Sequence, residues 1–244
     1  MKVVFLLLFL LSSLFAQKLT LGAGAYVQTQ PYKDVDTIIV PSPVVFFDNG
    51  IFYVRWTRLG MYFLGKKDDD FSWGLSLTLQ PRPYGYEASD SQALEGMEKR
   101  KNTWEGGLAL SMQKDTTFLE VMVLNDLLNN TNGWIIKAEL GDEFKLANFT
   151  FYPSVLAIYQ SSEYVSYYYG VKESETTLTR AAYNPGSGVD FALQTYVSYP
   201  LTKKLSTLLN FRADFLSKET TNSPIVQDNR IYSGLLSLIY RFEY

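Results

Sequence analysis

The chain contains no cysteine and no histidine in its 244 residues. The first absence excludes a disulfide framework, a thiolate metal site and a cysteine nucleophile. The second removes the commonest general base and zinc ligand, so no serine and histidine hydrolase can be assembled from these residues. Basic charge is not in excess either: 22 Lys and Arg stand against 25 Asp and Glu, leaving −3, which argues against a broad face for nucleic acid. Beyond the amino end no stretch is long and apolar enough for a membrane helix, and the mean hydropathy is −0.06. What is plentiful is aromatic, at 16% of residues with 18 Tyr and 16 Phe. Function is left to shape, surfaces, carboxylates and hydroxyls, with no cofactor and no metal expected.

The amino end reads as an export signal. Met1-Lys2 supplies positive charge, 3–11 is unbroken apolar sequence, and Ser12-Ser13-Leu14-Phe15-Ala16 offers mostly small residues before Gln17. Removing residues 1–16 leaves 228, enough for one domain over 17–244. Without a cysteine, lipoprotein anchoring is excluded.

From Gln17 onward the pattern has period two. In 71–80 one face carries Phe71, Trp73, Leu75, Leu77 and Leu79, the other Ser72, Gly74, Ser76, Thr78 and Gln80. In 205–215 Leu205, Thr207, Leu209, Phe211, Ala213 and Phe215 alternate with Ser206, Leu208, Asn210, Arg212 and Asp214, a set suited to a wet interior. Soluble strands average about 5 to 6 residues; these segments match the roughly 9 to 11 that cross a bilayer at a tilt. Trp104, Trp134, Tyr152, Tyr159, Tyr196 and Tyr199 fall near segment ends, where interfacial girdles lie. The pattern predicts an all-β fold, an antiparallel up-and-down transmembrane β-barrel of the outer membrane. At the carboxyl end Leu236, Leu238, Tyr240, Phe242 and Tyr244 alternate with Ser237, Ile239, Arg241 and Glu243. Such a tail resembles the closing-strand signal read by the barrel-assembly machinery, with Tyr240, Phe242 and Tyr244 as its carriers.

Turn signals at 30–35, 48–50, 65–70, 81–101, 114–115, 128–132, 141–143, 161–162, 171–186, 200–203 and 218–229 predict about twelve strands. An even number puts both ends in the periplasm, with tight turns there and longer loops outside. One place disobeys: by this parity the long 81–101 segment falls on the periplasmic side. Either 51–56 and 61–64 are two strands rather than one, which leaves ten or fourteen strands open, or the barrel has a periplasmic excursion. In the second case Arg82, Tyr84, Tyr86, Leu94, Met97, Lys99 and Arg100 are expected to face the murein layer and dock a partner. The rival is a loop folded into the barrel mouth as a plug.

Local strings, in order along the chain, carry a family resemblance. They are Gly22-Ala23-Gly24-Ala25, Pro31-Tyr32, Val40-Pro41-Ser42-Pro43-Val44-Val45 and Asp48-Asn49-Gly50; then Leu94-Glu95-Gly96-Met97 with Trp104-Glu105-Gly106-Gly107-Leu108; then Tyr168-Tyr169-Gly170-Val171 and Tyr183-Asn184-Pro185-Gly186; and last Ser223-Pro224-Ile225-Val226 before Tyr240-Arg241-Phe242. Together they resemble the MipA/OmpV family of outer-membrane proteins. After Tyr32, Lys33-Asp34 stands where the family usually has Glu-Gly. The resemblance implies an outer-membrane barrel. In one branch of the family it implies a scaffold that brings a lytic transglycosylase together with a penicillin-binding protein; other members are surface antigens or porin-like proteins.

Chemical motifs are few. Glu105, Glu120, Glu139 and Asp214 are candidate lumenal carboxylates, and a glycosidase needs two at a defined separation. Pairing of Asp214 with Arg212 and of Glu139 with Lys137 is the favoured reading. Lys66-Lys67-Asp68-Asp69-Asp70 lacks the spacing of a calcium loop and reads as a solvated tip that touches lipopolysaccharide through divalent ions. Gly22-Ala23-Gly24 reads as small residues on an interior strand face. The expected function is a noncatalytic binding or scaffold barrel, ahead of a narrow small-solute channel and, last, an enzyme acting on lipid or glycan.

Overall fold

A computed structural model describes residues 18–68, 70–82 and 85–243. The expected export signal, Tyr84 and Tyr244 lie outside the described residues. Thirteen strand segments follow in order: β1 (Lys18–Gln28), β2 (Ile38–Asp48), β3 (Phe52–Arg55), β4 (Arg58–Lys67), β5 (Ser72–Arg82), β6 (Thr103–Lys114), β7 (Thr117–Asp126), β8 (Trp134–Gly141), β9 (Phe144–Leu146), β10 (Phe149–Gln160), β11 (Gly188–Pro200), β12 (Leu205–Phe215) and β13 (Arg230–Glu243). All pairings are antiparallel between neighbours, and β13 returns to pair with β1 from Lys18 opposite Glu243 to Gln28 opposite Ser233. Closure leaves no free sheet edge at this seam, as hydrocarbon requires. β8 and β9 pair with successive parts of β10, so they form one stave interrupted at Asp142-Glu143. The barrel therefore has twelve staves.

The two faces follow the period-two pattern. Ser76, Thr78, Leu208, Asn210 and Ser237 are buried inside, while Leu77, Phe211, Leu236 and Leu238 stand exposed on the outer, lipid-facing surface. At the loop end Trp134 packs on Tyr159 with ring centroids 5.1 Å apart; at the other end Phe149 packs on Tyr199 at 4.8 Å and Tyr240 on Phe242 at 4.8 Å. Trp104 also faces outward. Tyr152 and Tyr196 depart from the girdle expectation. On β10 and β11 they share the inward phase of Ser154 and Ala192 and line the lumen.

Two local departures cancel in the strand count and invert part of the topology. The 51–64 segment is a hairpin, β3 and β4 joined by Trp56-Thr57, where Trp56 adopts φ +58°. The segment after Ser161, taken for a strand, is helix α1 (Ser162–Tyr169), with the Ser161 hydroxyl accepting from Tyr164 N–H. The count stays at twelve, but every connection between these points changes ends. Segment 85–102 thus joins 29–37, 161–187 and 216–229 at one end, opposite the termini. Short turns at 49–51, 115–116, 147–148 and 201–204, with the β4 to β5 connection, occupy the other. The periplasmic placement of 81–101 is accordingly corrected, and so is the lipopolysaccharide contact expected of 66–70, since the β4 to β5 hairpin turns at the end of the termini. With tight turns inward, the long loops face out of the cell.

Candidate functional site

The long loops do not splay; they fold over the barrel mouth and build a core of their own. Tyr32, Tyr86, Leu94, Met97, Tyr164, Val165, Tyr168, Tyr169, Val171, Ile225 and Val226, from four loops, form one buried cluster with Ala109, Met122, Leu124 and Ile135 of the barrel interior. Tyr32 lies edge-on to Tyr86 at 4.7 Å and stacks with Tyr169 at 5.7 Å. Burial pushes the phenols of Tyr168 and Tyr169 up to about 12, so they stay protonated.

A buried ionic clamp ties 85–102 to 161–187. Arg100 Nη2 donates to both carboxylate oxygens of Glu175 at 2.9 Å, with the side chains 3% and 2% exposed. Glu175 also accepts from the N–H groups of Glu98 and Lys172, each at 2.9 Å. Burial alone would raise its pKa; those two N–H groups and the guanidinium outweigh it and hold the carboxyl below the ordinary range. Arg180 donates to the carbonyls of Ala93, Glu95 and Glu175 at 2.7, 2.8 and 2.9 Å. Loop backbone that would otherwise be unsatisfied is thereby capped by side chains.

These contacts account for most of the residues expected to dock a partner. Tyr86, Leu94, Met97 and Arg100 are buried within the plug, which leaves them no outer surface to offer. Lys99 is exposed and pairs with Glu87. Arg82, at the end of β5, turns under the plug, with its guanidinium 4.6 and 4.3 Å from the ring centroids of Tyr164 and Tyr168.

Beneath the plug lies a lumenal cavity of about 1640 Å³, reaching from Arg82, Tyr164 and Tyr169 to Asn49 and Thr116 at the short-turn end. Its charges are paired, across the lumen for Glu120 and along a strand for Glu139 and Asp214. Glu120 receives Arg55 at 2.8 Å and Arg58 at 2.5 Å, and the Ser111 hydroxyl donates to it at 2.8 Å. Arg212 contacts Asp214 at 2.5 Å and Lys137 lies 3.7 Å from Glu139, the two pairs expected from alternation. Glu139 also accepts from Ser154 at 2.8 Å and Gln194 at 3.1 Å. Glu105 accepts from Gln80 at 2.7 Å and from the Tyr164 hydroxyl at 3.1 Å. Each carboxylate thus already has donors, an arrangement that keeps a polar lumen ordered. Among the described residues no group of three or more acidic side chains could hold a metal ion. Arg55 and Arg58 are the site residues that pattern reasoning missed. They flank a hairpin turn with no Gly, Pro or Asn to announce it.

A closed antiparallel barrel with an apolar outer belt, aromatic rings at both rims, tight turns at one end and packed loops at the other defines an outer-membrane β-barrel protein. The family model described as MltA-interacting protein MipA matches residues 21–242, and the chain belongs to that family. It is similar to the putative outer membrane protein YiaT of Escherichia coli, 25% identical over 95% of this chain and 94% of the relative. It is also similar to the MltA-interacting protein of Escherichia coli, 29% identical over 92% and 90%, and to the outer membrane protein OmpV of Vibrio cholerae, 26% identical over 90% and 84%. Among solved structures it resembles a loop-deletion mutant of OmpT, an outer membrane protein of Vibrio cholerae. The TM-score is 0.44 at 7% identity, covering 93% of this chain and 99% of that one.

Proposed function

We propose that this chain is a noncatalytic binding barrel whose partner surface is the short-turn end, and that the partner is a lytic transglycosylase held beside a penicillin-binding protein. The division between the two ends of the barrel carries the reading. The loop end is packed into a plug, whereas at the short-turn end β4 runs on through 62–67 past its last pair with β3, Phe52 opposite Met61. The β4 to β5 hairpin therefore projects from the rim and offers a strand edge with exposed Phe63, Leu64 and Phe71. Such an edge accepts an extended segment of a partner by strand addition. The name of the relative MltA-interacting protein supports the partner class.

The test is photo-crosslinking from a reactive group placed at Lys66, in envelopes, followed by capture with the hairpin shortened by removal of 66–70. The expected result is a transglycosylase adduct that disappears on shortening while the barrel keeps its heat-modifiable gel mobility. Undiminished capture would remove the hairpin from the proposal. Planar-bilayer recording separates the channel reading: the plug predicts no stable single-channel steps, and their appearance would favour a pore.

A further inference from the structure

The barrel wall is incomplete over part of its height. β3 has only four residues, and β2 pairs with it only through Phe46, Phe47 and Asp48. β5 pairs with β4 only from Ser72 to Leu79. Residues 38–44 of β2 and 80–82 of β5 therefore flank a gap, above the Trp56-Thr57 turn, in which no described strand lies. At about 3.3 Å per residue the open edge of β2 is roughly 20 Å long.

An unpaired N–H in hydrocarbon is costly, and proline removes most of them here. Trp56 N–H donates to Val45 O at 2.8 Å, so Val45 turns its backbone groups toward the β3 side. Pro43 and Pro41, two and four residues along, turn the same way and have no N–H to leave unpaired. On the far flank Leu127 N–H donates to Trp104 O at 2.8 Å, so Trp104 turns toward β7. Pro81, its cross-strand partner, therefore turns its nitrogen to the gap. Pro41 and Pro81, on the outward phase of their strands, both line the lumenal cavity, which thus reaches the gap.

The groups at the gap are amphipathic. Ile39, Leu59 and Leu77 are exposed on the outer side. On the inner side Arg55 and Arg58 share Glu120, with Asp48 3.8 Å from Arg55, and the buried Nε of Arg82 has no hydrogen-bond partner among the described residues. Arg58 and Arg82 rise on the same inward face, because Leu59 pairs with Leu79. We propose that the gap is a lateral portal between bilayer and lumen for an amphiphile with an anionic head, carboxylate or phosphate. The head meets Arg55, Arg58 and Arg82, and the chain lies against Ile39, Leu59 and Leu77.

Trp56 stands at the foot of the gap with its indole N–H on Ser42 Oγ at 3.0 Å, and it reports on the portal once Trp73, Trp104 and Trp134 are replaced by Phe. In nanodiscs, phospholipids brominated on their chains are expected to quench Trp56; no quenching would overturn the opening. 12-Bromododecanoate and 12-bromododecyl phosphate are expected to quench saturably at concentrations at least about tenfold below those of 12-bromododecyl trimethylammonium, with the better of the two naming the source of the ligand. Equal quenching by the cationic probe would overturn the anionic head. Arg55→Gln is expected to raise the half-quenching concentration several-fold, with gel mobility checking that the barrel still folds. An unchanged value would overturn the arginine site.

Discussion

Two junctions in the same wall solve the same problem in opposite ways. At the β1 to β13 seam every backbone group meets a partner through a continuous ladder, and the strands approach so closely that a Cβ on Gly24 would lie 2.1 Å from Leu236 O and one on Gly22 2.3 Å from Leu238 O. At the β2 to β5 gap no described strand intervenes, and Pro41, Pro43 and Pro81 remove three of the donors that pairing would have satisfied. Hydrocarbon tolerates a satisfied N–H or an absent one, and the barrel uses both.

The largest expected effect falls on the seam. Gly24→Val should prevent formation of a heat-modifiable barrel, whereas Pro43→Val at the gap should leave it; equal folding of both variants would erase the contrast. Next comes the charge cluster at the foot of the gap. Glu120→Ala strands the largely buried Arg58 and leaves Arg55 only Asp48 at 3.8 Å, and urea unfolding should show a loss of about 3 kcal/mol, the usual result of leaving buried charge unpaired. Glu120→Gln, which keeps an acceptor, should lose less.

Acidification should loosen the plug without opening the seam. A carboxylate whose folded pKa is depressed contributes stability that is complete above its ordinary value of 4.5 and is lost as pH falls through the lower folded value. Hydrogen exchange in 171–186 should therefore quicken below pH 4.5, and Glu175→Gln should abolish that pH dependence. Exchange in β13 should not follow. The smallest effect is expected from Pro43→Ala, which restores one N–H at the gap edge. If the gap is wet, unfolding should show a loss of about 1 kcal/mol or less, since water can take the donor. A loss of several kcal/mol would mean the edge is sealed in lipid.

Much of the fold was legible in the residues. Period-two alternation over long segments marks both faces, as Ser76 and Leu77 illustrate, and it anticipated the pairs of Arg212 with Asp214 and Lys137 with Glu139. The β3 to β4 turn was not legible, because Trp56 takes a left-handed φ that its residue type disfavours and holds it through Ser42, Tyr26 and Val45. Helix α1 was not legible either. Tyr164, Val165, Tyr168 and Tyr169 have the β-favouring character of a strand, and burial in the plug overrides it. Those two places set which end each intervening loop occupies, so the docking expectation for 81–101 fell with them.

Alternation, aromatic content and the closing strand are local properties, and they were enough to establish an exported-type barrel wall with a polar inside, since a strand's two faces are decided residue by residue. Register, closure and loop packing depend on partners distant in the chain. That is why only the folded molecule placed the long loops together as a plug, matched Arg100 to Glu175 across 75 residues, and left the wall open between β2 and β5.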